Sequence, residues 1–212
     1  MKSCQRDRAF HQAIRETWGR ALPSWATLRF FMGGDTTTAK PDEVELGMFC
    51  PDDYRGLPYK TRAILSWFSL PEGASHIYLC DNDTFLGSGF FNLNFEPYDY
   101  AGRFNYWPSG AKMGTTFRYN DGQGNVHDPC HAWASGGFGY FLSRKAAQIV
   151  AENEPTSWAE DLWVGQVLGP KIQSGEIKGC EFNYDCVWHI PKAPHKPFTV
   201  QRIYDYHNGV RT

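Results

Sequence analysis

An α/β fold with a largely parallel central sheet, covered by helices on both faces, is predicted by three features of this 212-residue sequence. Segments with helical periodicity alternate with short apolar runs of the kind that form buried strands. Acidic residues gather where such a run stops, the place where ligands bind in open α/β sheets. Apolar residues make up 42% of the chain and aromatics 16%, which supplies a core without long aliphatic stretches. The length fits a single domain over residues 1–212, and no internal repeat or low-complexity tract divides it.

The elements follow in order. Phe10, Ile14 and Trp18 recur at i, i+4 and i+8 with Ala13 and Ala21 beside them, a stripe that predicts an amphipathic helix ended with the help of Gly19 and Pro23. Leu28-Arg29-Phe30-Phe31 reads as a short strand closed by Gly33-Gly34-Asp35, with a polar loop over 35–43. Ala63, Ile64, Leu65, Trp67 and Phe68 predict a helix over 61–68 that stops before Pro71, and Ile77-Tyr78-Leu79-Cys80 a buried strand ending at Asp81-Asn82-Asp83. Residues 87–130, rich in Gly, Asn, Tyr and Phe, lack helical periodicity and read as strands and long loops suited to substrate recognition. A glycine turn at Gly136-Gly137 leads into a strand and then a helix over 143–151. Ser157-x-x-Glu160 has the form of a capping box, opening a helix that carries Leu162, Trp163, Val167 and Leu168 and ends at Gly169-Pro170. The tail carries one strand candidate, 180–189, before Pro191, Pro194 and Pro197.

Composition excludes several classes. Lys plus Arg number 21 and Asp plus Glu 23, a net charge of −2 with neither sign in a block, so no nucleic-acid partner is expected. No apolar run reaches the roughly 18 to 20 residues of a membrane span, and residues 1–8 lack the apolar centre of a signal peptide, so a cytoplasmic chain is expected. The six cysteines are irregularly spaced and fit reduced thiols, and the lack of a CxxC pair leaves a zinc ribbon unsupported.

Two carboxylates at the end of a buried strand must be paired, and a divalent cation does this while keeping coordination sites for water and substrate phosphates. Asp81 and Asp83 are therefore candidate ligands for Mg²⁺ or Mn²⁺ with a diphosphate-bearing substrate, against the plainer reading of a solvated turn. Glu160-Asp161 lies in a helix first turn, where anions complement the helix dipole, so it reads either as that or as a catalytic base. His189, His195 and His207 could each bring an imidazole to a metal. Trp107, Trp133, Trp158, Trp163 and Trp188 read as core residues or as platforms for sugar rings.

Five segments in order resemble glycosyltransferase family 31, the β-1,3-galactosyltransferase, β-1,3-N-acetylglucosaminyltransferase and fringe-like enzymes. Arg6 to Gly19, ending Ala13-Ile14-Arg15-Glu16-Thr17-Trp18-Gly19, resembles the family's opening R-x-x-I-R-x-T-W-G. Asp53-Tyr54-Arg55-Gly56-Leu57-Pro58-Tyr59-Lys60-Thr61 resembles its D-x-Y-x-N-L-T-x-K-T segment, with Trp67 following. Tyr78-Leu79-Cys80-Asp81-Asn82-Asp83 is similar to the strand leading into its D-D-D metal motif, and the run from Ser135 to Ser143 to its glycine-rich element. Glu160-Asp161-Leu162-Trp163-Val164-Gly165 resembles its E-D-V-x-x-G motif. Asn82 replaces the middle Asp of the triplet, Gly56 replaces an Asn, the first strand shrinks to a few residues after Met1, and the family's membrane anchor is missing. These departures point to a soluble bacterial or large-virus relative, acting in the host cytoplasm if viral, or to the first domain of a longer polypeptide.

The resemblance implies a GT-A fold and a metal-dependent inverting transfer of a hexose or deoxyhexose from a UDP-sugar donor to a hydroxyl of a glycan or glycoprotein acceptor. It implies Mn²⁺ or Mg²⁺ at Asp81 and Asp83, Asp161 as catalytic base, and His189, 28 positions beyond Asp161, as a further metal ligand with His195 as alternate. Arg15, Lys60 and Asp81 are implied to contact the nucleotide sugar. A metal-dependent nucleotide-sugar hydrolase and a non-enzymatic carbohydrate-binding module are the rival readings.

Overall fold

The computed structural model describes residues 1–34, 39–47, 50–70, 73–104, 112–182, 185–189 and 199–210. In chain order these form α1 (Arg8–Glu16), β1 (Phe30–Met32), β2 (Glu43–Glu45), α2 (Leu57–Phe68), β3 (His76–Leu79), β4 (Thr84–Leu86), β5 (Tyr100–Gly102), β6 (Thr116–Asn120) and β7 (Val126–His131). Then come β8 (Tyr140–Ser143), α3 (Arg144–Ala151), α4 (Glu160–Gln173), β9 (Gly179–Glu181), β10 (Val187–His189) and α5 (Val200–His207), with 3-10 turns at Gln5–Asp7, Trp18–Ala21 and Ser88–Asn92.

The chain's first residues join the sheet. Lys2 bridges in parallel both to Phe31 of β1 and to Asp81 just beyond β3. Its N–H donates to the Cys80 carbonyl at 2.8 Å, and the Ser3 N–H donates to the Phe31 carbonyl at 3.0 Å. Parallel pairing of β1 with β2 extends this to one side. On the other, β3 pairs antiparallel with β8, β8 antiparallel with β5, and β5 parallel with β9. Across the sheet the order is β2, β1, residues 1–3, β3, β8, β5, β9, and only β8 runs against the rest. Two short antiparallel pairs, β4 with β10 and β6 with β7, stand apart.

Strand alternation splits the core into two layers. Phe31, Leu79, Tyr100, Tyr140 and Leu142 point to one face, against Ile64 and Leu65 of α2, Ala146, Ala147 and Val150 of α3, and Trp163, Val164 and Leu168 of α4. Phe30, Cys80, Ala101 and Phe141 point to the other, against Ala13 and Ile14 of α1, Phe90 and Ile203 of α5. All six cysteines are free thiols.

Five expectations are corrected. The first helix ends at Glu16, and Trp18 sits in the following 3-10 turn. Helix α2 starts at Leu57, because Pro58 in the first turn needs no N–H partner. The capping box at Ser157 does not form: Ser157 Oγ accepts from Ala159 N at 3.2 Å, Ala159 is the N-cap residue, and Glu160 turns inward. Helix α4 also runs through Pro170 to Gln173, since one missing backbone bond costs less than losing the packing of Leu168 and Ile172. The single tail strand is two, β9 pairing with β5 and β10 with β4.

Helix α4 closely approaches the segment between β7 and β8 through Gly165, where an added Cβ would collide with Trp133 Cβ and stand 3.0 Å from its Cα. Gly165→Ala is expected to lower unfolding free energy by about 1 to 3 kcal/mol through overpacking, measured by urea denaturation; unchanged stability would show that α4 can back away.

Candidate active site

Residues 1–3 and β3 run side by side, so Lys2 and Asp81 emerge together at the strand ends. They lie in a cleft of about 430 Å³ that is also lined by Asp52, Tyr54, Gly136, Asp161 and His189. Among the residues singled out from sequence, the cleft brings together Lys60, Asp81, Asp83, Asp161 and His189.

At the centre is a buried ion cluster that no sequence motif signals. Lys2 is 2% exposed, and its Nζ pairs with Glu160 Oε1 and lies 3.3 Å from Asp81 Oδ1. Tyr140 donates its hydroxyl to the other Glu160 oxygen at 2.6 Å. Burial alone would make the Lys2 ammonium give up its proton more easily, but Asp81 and Glu160 outweigh it and hold the ammonium charged, above the usual lysine range. Burial pushes the Glu160 carboxyl up to about 6 despite Lys2, with Asp161 and Asp81 adding to the rise. Asp81 is likewise raised by burial against the pull of Lys2. The D-N-D turn and the E-D helix start, 79 positions apart, thus share one cation (160 − 81 = 79).

Asp83 is buried beside this cluster, at the start of β4. The β4–β10 register sets His189 opposite Thr84 and Trp188 opposite Phe85, so His189 turns to the cleft while Trp188 packs with Phe85 on the other side. Asp83 Oδ1 and His189 Nδ1 lie 3.5 Å apart, an ion pair when the imidazole is protonated, and both atoms are buried without a hydrogen-bond partner among the described residues. A carboxylate oxygen and an imidazole nitrogen facing each other unsatisfied suit a divalent cation that completes its shell from water and phosphate. No group of three or more His, Cys, Asp or Glu side chains converges as a metal site among the described residues, in keeping with Asp81 being engaged by Lys2. The glycine turn explains its own composition here: a Cβ on Gly137 would stand 2.9 Å from the His189 ring, and one on Gly136 would press on Glu160 and Asp161. Asp161 accepts from Gly136 N at 2.9 Å and Leu162 N at 2.8 Å, which fixes the carboxylate at the start of α4.

Asp52, which no sequence motif singles out, also lines the cleft. Its carboxylate accepts from Gln5 N at 2.7 Å, Gly33 N at 2.8 Å and Lys60 Nζ at 2.8 Å, and Lys60 also donates to the Ser3 carbonyl. Lys60 is in the cleft, yet its ammonium is spent on these two groups.

Arg15, expected to contact the sugar nucleotide, does not line the cleft. Its guanidinium binds both Asp42 oxygens, at 2.7 and 2.6 Å, and Glu43 at 2.9 Å. Against the opposing effect of burial, Arg15, Lys40 N–H and His11 hold the Glu43 carboxyl down at about 2. Glu43 contacts His11 Nδ1 at 3.1 Å, His11 Nε2 contacts Ser3 Oγ at 2.5 Å, and Asn82 Nδ2 donates to Ser3 Oγ at 3.1 Å and Asp7 Oδ2 at 2.8 Å. Arg15 acts on the cleft through this relay. The same bonds account for Asn82, because an Asp there would face Asp7 with a like charge and no donor.

Of the remaining candidates, His195 and Trp107 lie outside the described residues, and His207 ends α5 away from this cleft. Trp133 and Trp163 are core. His127 and His131, an H-x-x-x-H pair, sit on strand β7 rather than a helix and do not line the cleft.

Neither protein-family models nor the sequences of curated proteins give a match to this chain. Its structure does: the crystal structure of the galactosyltransferase LgtC in complex with donor and acceptor sugar analogues superposes with a TM-score of 0.51 at 9% identity, covering 100% of this chain and 95% of that one. The chain has the GT-A fold. No helix among the described residues is long and apolar enough to cross a membrane.

Removing the shared cation should be costly. Lys2→Met is expected to lose on the order of 3 kcal/mol of stability, because it leaves Glu160 and Asp81 without their counter-charge, whereas a loss under about 1 kcal/mol in chemical denaturation would mean the carboxylates are satisfied without it.

Proposed function

We propose that this chain is a glycosyltransferase that moves a sugar from a UDP-sugar to a hydroxyl of a glycan or glycoprotein acceptor with inversion, using Mn²⁺ or Mg²⁺, and that the whole chain is one catalytic domain. The observation that carries the reading is the facing pair Asp83 Oδ1 and His189 Nδ1, buried at the strand ends of a GT-A sheet with no hydrogen-bond partner among the described residues. The five motifs that resemble family 31 support the same class, as does the fold shared with a galactosyltransferase.

Asp83 and His189 would hold the cation. Bound there, it would supply positive charge to the diphosphate as the bond to the sugar breaks. The chain's own residues do the rest. Lys2 offsets part of the negative charge of Asp81 and Glu160 and so lessens the cleft floor's repulsion of a diphosphate. Gly136 N and Leu162 N hold the Asp161 carboxylate in place. As the acceptor oxygen bonds to the anomeric carbon, the sugar–diphosphate C–O bond breaks, its electron pair leaves on the diphosphate, and the hydroxyl proton passes to Asp161. One displacement inverts the configuration.

A UDP-sugar at 100-fold excess over Kd should stabilise the protein by about 2.7 kcal/mol in Mn²⁺ and not in EDTA, and Asp83→Ala should abolish the response in a thermal-shift assay. Asp161→Asn should keep that response while transfer falls by about 10²- to 10⁴-fold. Equal stabilisation in EDTA would remove the cation from the donor site, and wild-type turnover in Asp161→Asn would move the base elsewhere.

A further inference from the structure

We propose that Tyr54 and Trp158 form the platform on which the acceptor's terminal pyranose packs, placing its hydroxyl before Asp161. The inference rests on the glycosyl-transfer reading and assigns the acceptor subsite within it.

Tyr54 is 66% exposed and Trp158 38%, yet their rings touch each other at a centroid distance of 6.0 Å and a tilt of 45°. Tyr54 lines the polar cleft and Trp158 adjoins the cleft residue Ala159, so two large rings in contact there leave apolar surface in water that a ligand would cover. Both are held by local bonds rather than by the core. Gly56 N donates to Asp53 Oδ1 at 2.7 Å across the Tyr54 turn, and Ala159 N donates to Ser157 Oγ at 3.2 Å across Trp158.

Tyr54 lines the cleft, and its phenol is pushed above the ordinary range by partial burial and then by the charges of Asp161, Asp81 and Glu160. The ring lines the same cleft as Asp81, Glu160 and Asp161. Trp158 precedes Asp161 by three residues on the same approach to α4. A general base works only within hydrogen-bond reach of the hydroxyl it deprotonates. A ring stacked on this pair is the acceptor's, because the pair borders the base. The tilted faces form a corner: the C–H face of a pyranose covers one ring while its edge meets the other, and its hydroxyls stay turned to the cleft.

Other exposed aromatics lack this setting. Trp25, 58% exposed, packs with Phe91 and Phe95 and does not line the cleft, which makes it the control.

The test titrates the intact chain with methyl β-galactopyranoside, methyl β-glucopyranoside and methyl N-acetyl-β-glucosaminide, with and without UDP and Mn²⁺, reading saturation-transfer NMR and tryptophan fluorescence. At least one glycoside should bind saturably. Tyr54→Ala and Trp158→Ala should each weaken it by about tenfold or more, Tyr54→Phe should retain it, Trp25→Ala should not change it, and UDP-sugar affinity should hold in all four. Absence of glycoside binding in the wild type overturns the proposal, and so does equal weakening by Trp25→Ala. Loss of UDP binding in Tyr54→Ala or Trp158→Ala also overturns it, making the pair a nucleobase platform. A wild type that binds glycosides at these rings but no UDP-sugar would instead defeat the transferase reading and leave the platform standing.

Discussion

The pairing of one buried ammonium with two carboxylates organises everything at the strand ends. Lys2 belongs to a segment too short to be recognised as a strand, yet it stitches β1 to β3 by backbone bonds and, through its side chain, ties Asp81 to Glu160. Without it, the sheet's two halves would lose this backbone link, and Asp81 and Glu160 would lie buried without their counter-charge. A buried ion pair adds little net stability over a packed apolar alternative. Its value here is positional: it takes up Asp81 and Glu160 and leaves Asp83, His189 and Asp161 facing the cleft.

The second organising device is the relay from Arg15 through Glu43, His11 and Ser3 to Asn82. It carries a rigid connection from the outer surface of α1 to the metal-motif turn, and it gives the A-I-R-E-T-W-G segment a physical purpose away from any ligand. Burial lowers the His11 imidazole's affinity for a proton even beside Glu43, so the relay has a neutral ring at its middle. A neutral ring can donate on one side and accept on the other, as this chain of bonds requires.

Much of the fold was legible because it depends on local pattern. The buried run ending at Cys80, the alanine-rich helix before Ala151 and the stripe of α1 each follow from side-chain periodicity alone. What escaped were features fixed by partners distant in sequence. Glu160 reads as the far end of a capping box until Lys2, 158 positions earlier, is seen to hold it. Arg15 sits in a motif near the cleft in sequence, but α1 aims it at Asp42 and Glu43, and nothing in the helical pattern says so. Asp52 carried no motif signal of its own beside Asp53 and Tyr54, although a carboxylate followed eight residues later by Lys60 on the first turns of a helix was a clue to their pairing. Gly136 and Gly137 were visible as a turn, and only the structure shows that their missing side chains make room for Asp161 and His189.

The central claim is that Lys2 satisfies Asp81 so that Asp83 and His189 are left to bind the donor's cation. Anomalous diffraction at the manganese edge from crystals soaked in Mn²⁺ and UDP tests it most directly. The account predicts one peak in bonding contact with Asp83 and His189, with the diphosphate completing its shell and Lys2 still paired to Asp81 and Glu160. A peak centred on Asp81 with Lys2 displaced, or a UDP molecule bound in the cleft with no manganese at Asp83, would contradict it.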